Sequence, residues 1–175
     1  MTEKLIKYTQ LLDQWLKYYG FEELTVNPEA GADKVYKRSR VEAAKFGKVD
    51  FYIAVKHIPN ASSERVREYS SKMHSLAMRH RIGPPLGFGA MLQVFPLIIT
   101  ENITAEPANF IKSSYCPKHF GAAEFPSVVV LNTGYVYYCT STPLWGYAYY
   151  GGFRRDSYNF FSPKAWEELS KKQSG

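Results

Sequence analysis

The chain has 175 residues, a hydrophobic fraction of 45% and a formal net charge of +6. That length can bury a core without staples, and two cysteines (Cys116, Cys139) exclude a disulfide scaffold, so one reduced globular domain is expected. No stretch approaches the roughly 18 apolar residues of a membrane span. The charged N-terminal stretch holds no signal-peptide apolar core, so a cytoplasmic protein with no membrane partner is expected.

Leu5, Tyr8, Leu12, Trp15 and Tyr19 recur at spacings of three and four, which predicts an amphipathic helix over 3–19, closed by Gly20. FEELTV (21–26) reads as a short strand and 27–32 as a loop. From Lys34 to Val41 the pattern predicts a second strand, after which VEAAKF either continues it or forms a short helix. Lys34, Lys37, Arg38 and Arg40, with Lys45 and Lys48 behind them, make this the most basic part of the chain. Such cations protect an edge strand from unwanted pairing. They equally suit a phosphate-facing surface, with Tyr36 available for stacking.

VDFYIAVKHI (49–58) is the central strand. Its odd positions Val49, Phe51, Ile53 and Val55 are apolar, so one face is expected in the core while Lys56 emerges on the other with Asp50 and Tyr52. Ser62 or Ser63 then caps a helix whose inner face is Val66, Tyr69, Met73, Leu76 and His80. Gly83-Pro84-Pro85 stops it, and GFGA (87–90) reads as a loop leading into the strand MLQVFPLIIT (91–100), where Pro96 limits pairing on one side. Thr104 is expected to cap a helix to about Ser114, with 115–126 a loop. SVVVLNTGYVYYCT (127–140) carries a hairpin signal around Asn132-Thr133-Gly134. Residues 141–161 hold eight aromatics, Trp145 and Tyr147 among them, interleaved with glycines and the pair Arg154-Arg155. They read as short core-covering strands joined by glycine turns, as a base-stacking platform, or as a protein-interaction face. Ser162-Pro163 opens a terminal helix.

The expected fold is therefore a single α/β domain with a central mixed sheet flanked by helices. An αβββαβ core spans about 3–132, and a C-terminal extension with a β-hairpin follows over about 133–175. That order, with a strand ending Ala54-Val55-Lys56, resembles the core of the restriction-endonuclease-like (PD-(D/E)xK) superfamily, nearest to its Mrr-type arrangement. The resemblance implies that Asp33 stands for the first metal-binding Asp and Lys56 for the motif lysine, with Ala54 where the second acid belongs. Mg²⁺ takes oxygen ligands, and alanine offers none. Glu64 or Glu68 could supply a migrated carboxylate, as could Glu22 or Glu23; Asp50 lies about 20 Å along the strand from Lys56.

The leading expectation is a nucleic-acid-associated protein with an inactive endonuclease-like core and no cofactor. Its candidate contacts are Lys34, Lys37, Arg38, Arg40, Lys56, Arg154, Arg155, Trp145 and Tyr147. The alternatives are a protein-interaction or homodimerising module that uses the aromatic segment, and a Mg²⁺-dependent nuclease. Cys116-x-x-His119, with Cys139, His57, His74 or His80 as further donors, lacks the second paired motif of a structural zinc site and reads as a loop cysteine and a surface histidine.

Overall fold

In the computed structural model the described residues are 2–27, 30–42, 47–115, 117–142 and 147–173, without the side chains of residues 118 and 147. The chain runs through helix α1 (Glu3–Tyr18), strands β1 (Glu22–Leu24), β2 (Lys34–Glu42) and β3 (Gly47–His57), helix α2 (Ser63–His80) and strand β4 (Ala90–Thr100). It continues through helix α3 (Ala105–Asn109) and a π-helical turn (Phe110–Ser114). Short strands β5 (Lys118–His119) and β6 (Ala122–Glu124) follow, then β7 (Ser127–Val130), β8 (Tyr135–Tyr138), α4 (Tyr147–Phe161) and α5 (Pro163–Gln173). The expected αβββαβ order is thus present in one mixed eight-stranded sheet.

Strand β4 is the axis of that sheet. β3 lies parallel to it along nearly its whole length, and β2 and β1 extend the sheet antiparallel beyond β3. On its other side β4 pairs first with β6 over Leu92–Val94 and then with β7 over Leu97–Thr100. Pro96, which has no N–H to give to a ladder, sits in the gap between those two partners.

Both faces of the sheet are covered. On one, Val49, Phe51, Ile53, Val55, Phe95, Leu97 and Ile99 pack under α1, α4 and α5. On the other, Tyr52, Ala54, Leu92, Val94, Ile98 and Val128 pack with Val66, Tyr69, Met73 and Leu76 of α2. Strand side chains alternate between faces, so two covering layers bury both sets, as in sheets crossed by right-handed βαβ units. This corrects the expected exposure of Asp50 and Tyr52, both of which are only 2% exposed. The half-buried positions of β3 lie at its two ends, Gly47 and Lys48 at one and Lys56 and His57 at the other.

Other local expectations also change. Thr104 precedes α3 without a side-chain cap bond, whereas Ser62 does accept from the Arg65 N–H. The loop expected over 115–126 contains β5 and β6, which form an antiparallel pair. The segment after the hairpin is the helix α4 rather than short strands. Two glycines in a helix interior cost about 1 kcal/mol each. Tyr150, Phe153, Ser157, Phe160 and Phe161 nevertheless recur at helical spacing and are all buried, and four aromatic side chains outweigh that cost at roughly 1.5–3 kcal/mol each. Residues 43–46 of the suggested VEAAKF helix lie outside the described residues.

Candidate functional site

The antiparallel register of β2 and β3 pairs Lys34 with Val55, which sets Asp33 beside the residues that follow Val55. Lys56 Nζ donates to Asp33 Oδ1 at 2.9 Å, and the His57 backbone N–H donates to Asp33 Oδ2 at 2.8 Å. His57 Nε2 lies 3.0 and 3.2 Å from the two carboxylate oxygens of Glu101. The two residues singled out by the superfamily resemblance therefore do meet. Both oxygens of Asp33 are already engaged by nitrogen donors, and Ala54 is buried beneath α2. Glu64 and Glu68 are exposed on α2, and neither joins Asp33 in a metal-type group of three among the described residues.

The basic strand β2 spends much of its charge within the protein. Lys34 pairs with Asp13 at 2.5 Å and approaches Glu23 at 3.6 Å. Burial works against its charge, but the hydrogen bond and charge of Asp13 outweigh it and hold the ammonium above its ordinary pKa. Lys37 Nζ lies 5.3 Å from the ring centroid of Tyr52. Arg38 stands 4.5 Å from the centroids of Phe21 and Phe51 and donates to the Tyr19 carbonyl at 2.8 Å. Its burial, and then the neighbouring charge of Arg40, push its pKa down. Arg40 pairs with Glu42 and stacks on Phe51 at 4.9 Å. On α4, Arg154 donates to the Thr140 carbonyl at 2.8 Å and to Thr142 Oγ1 at 3.0 Å, tying the preceding segment to the helix, while Arg155 is exposed. Trp145 and the side chain of Tyr147 lie outside the described residues.

A second cluster arises from residues far apart in the chain. β6 pairs with β4, and α2 packs across β4, so Glu124 of β6 and His119 of β5 come to lie against His74 of α2. The ligand atoms of these three side chains all fall within 4.8 Å of one another. Glu124 is buried, with its side chain only 2% exposed. Ser70 Oγ and the Tyr115 hydroxyl donate to its Oε1 at 2.5 and 2.7 Å, and His119 Nε2 lies 2.8 Å from Oε2. Burial, followed by the hydrogen bond and charge of Glu124, raises the pKa of the Tyr115 phenol, so it remains a donor.

The imidazoles of His74 and His119 stack with centroids 3.8 Å apart and planes inclined by 13°. His74 Nε2 is buried and has no hydrogen-bond partner among the described residues. Its pKa is lowered, first by burial and then by His119, which favours the neutral ring. His119 and Glu124 also line a cavity of about 400 Å³ whose other walls include Met91, Phe120, Tyr150 and Phe153.

His119 and His74 were both in the sequence-level pool of zinc donors. The third member, Glu124, was not, because the ladder between β5 and β6 that brings it to His119 was read as loop. Of the remaining donors in that pool, Cys139 is buried beside Ser141, and Cys116 lies outside the described residues. No family model, no curated protein and no solved structure matches this chain.

Proposed function

We propose that the chain is a nucleic-acid-associated protein built on an endonuclease-like core that lacks the metal-dependent cleavage site of that class. The observation that carries this reading is the Asp33–Lys56 pair at 2.9 Å across adjoining ends of β2 and β3, with buried Ala54 in the acid position. Two-metal and one-metal phosphodiester cleavage both need carboxylates converging on the cation. Here one carboxylate is committed to an ammonium and a backbone N–H.

The remaining chemistry is electrostatic. Arg65, Arg79 and Arg155 are exposed on a chain of formal charge +6, and cations of this kind bind phosphates by releasing counterions. Fluorescence anisotropy with labelled single- and double-stranded oligonucleotides in rising salt tests the reading. Binding that weakens linearly in log–log salt, with no Mg²⁺-dependent cleavage, is expected. Absence of binding at low salt refutes association, and cleavage lost on Lys56→Ala refutes the inactive core.

A second reading, a homo-oligomerising module, has one observation in its favour. Phe88 and Phe120 are each 73% exposed with ring centroids 6.3 Å apart. Exposed apolar groups in such proximity suit an interface. The C-terminal aromatics first considered for this role are largely in the core, through Tyr150, Phe153, Phe160 and Phe161. Sedimentation equilibrium of the wild type and of Phe88→Ser/Phe120→Ser decides it: association lost in the double variant supports an interface there, and a monomeric wild type removes it.

A further inference from the structure

We propose that His74, His119 and Glu124 bind one divalent transition-metal ion of the zinc class, with a fourth coordination position open to the adjoining cavity. This inference does not rest on the nucleic-acid reading; it concerns a different part of the sheet, at the β5–β6 edge rather than the Asp33 end of β2.

The donor set selects the ion. Two imidazole nitrogens and one carboxylate oxygen suit Zn²⁺ and its neighbours, whereas Mg²⁺ and Ca²⁺ call for oxygen donors throughout. Three protein ligands with one position left open is the composition of catalytic rather than structural zinc sites. The cavity of about 400 Å³ beside His119 and Glu124 gives that fourth position room for water or a small ligand.

The supporting shell is already in place. A metal-binding carboxylate is held by hydrogen bonds to the oxygen that does not face the ion. Ser70 Oγ and the Tyr115 hydroxyl both donate to Glu124 Oε1, at 2.5 and 2.7 Å, and leave Oε2 directed at His119. In the absence of metal the His119–Glu124 hydrogen bond fills the place of one coordination bond.

His74 supplies an independent observation. A dehydrated ring nitrogen with no partner is destabilising, and His74 Nε2 is in that condition among the described residues. The neutral imidazole is also the form that binds metal. A hydrogen-bonded His–Glu pair alone would account for His119 and Glu124 but leaves His74 Nε2 unexplained; a cation between the rings and the carboxylate satisfies all three. Tetrahedral zinc sets its ligand atoms about 3.3 Å apart, so closing from the present 4.8 Å spread requires the stacked rings to pivot towards a common centre.

The test uses the full chain, stripped with a chelator and titrated calorimetrically with Zn²⁺, Co²⁺ and Mg²⁺. One equivalent of Zn²⁺ and of Co²⁺ is expected to bind, Mg²⁺ is not, and the cobalt complex should show the intense visible bands of four-coordination. His74→Ala and His119→Ala, neither of which removes the buried carboxylate, should each weaken Zn²⁺ about tenfold or more. They should also abolish the zinc-induced rise in melting temperature expected of the wild type. Failure of the folded wild type to take up an equivalent of Zn²⁺ overturns the proposal, as does uptake that neither histidine variant alters. A sulfur-to-cobalt charge-transfer band overturns the open position, since a cysteine would then fill it.

Discussion

Arg38 of β2 and Phe51 of β3 are direct cross-strand partners, and the guanidinium carbon of Arg38 lies 4.5 Å from the centroid of the Phe51 ring. Phe21 at 4.5 Å and Phe160 at 5.5 Å surround the same group, so this cation is a component of the apolar layer beneath α1 and α4. A desolvated cation–π contact contributes about 2 kcal/mol. Arg38→Ala is accordingly expected to lower stability by about 2 kcal/mol in urea denaturation, and Arg38→Lys to recover only part of it. An unchanged unfolding midpoint would return Arg38 to the role of a surface cation.

The Asp33–Lys56 pair calls for a different expectation. Its side chains are 47% and 35% exposed, and ion pairs of that exposure contribute about 0–1 kcal/mol. Asp33→Asn should leave stability within about 1 kcal/mol. It frees the Lys56 ammonium, so oligonucleotide binding should tighten and the salt slope should steepen by about one. Weaker binding in the variant would show that Lys56 does not face phosphate.

Gln93 is fully buried on β4, opposite Phe51 and Ala123, and both polar atoms of its amide lack partners among the described residues. Replacing an unpaired buried amide by an apolar group of similar volume is neutral or stabilising. Gln93→Leu should therefore hold or raise Tm by a few degrees, whereas Phe95→Ala, two residues on, should cost about 3–5 kcal/mol. A drop in Tm for Gln93→Leu would reveal a partner, such as an ordered water.

At alkaline pH three phenols govern the expectation. Burial raises Tyr8, Tyr36 and Tyr69 above the ordinary value of 10.0, with Asp13 adding to the shift at Tyr36 and Asp33 at Tyr69. A group whose folded pKa exceeds its unfolded one binds its proton more tightly when folded. Its contribution is complete below about pH 10 and is lost as pH rises through the folded value. Ultraviolet titration should show these three phenols, and that of Tyr115 with them, ionising only together with unfolding. Full ionisation of all tyrosines in still-folded protein would contradict it.

Most of the sheet and its principal helices could be read from local pattern. The three-four spacing of Leu5, Tyr8 and Leu12 defined α1, the same spacing from Val66 to Leu76 defined α2, and the glycine-closed turn at Asn132–Gly134 defined the β7–β8 hairpin. Helix α4 was missed because glycines and aromatics suggested turns, although Tyr150, Phe153, Ser157 and Phe160 carry a helical period. Composition spoke more loudly there than spacing.

Sequence by itself determined the mixed α/β class and the αβββαβ order, because hydrophobic periodicity is written locally along each element. The tertiary structure alone decided which cations remain at the surface and which residues converge. Arg38 enters an aromatic layer assembled from the α1–β1 connection, β3 and α4, and His74, His119 and Glu124 meet only because α2 crosses β4 while β6 pairs with it. Contacts between residues dozens of positions apart depend on how layers stack, and no local period records that.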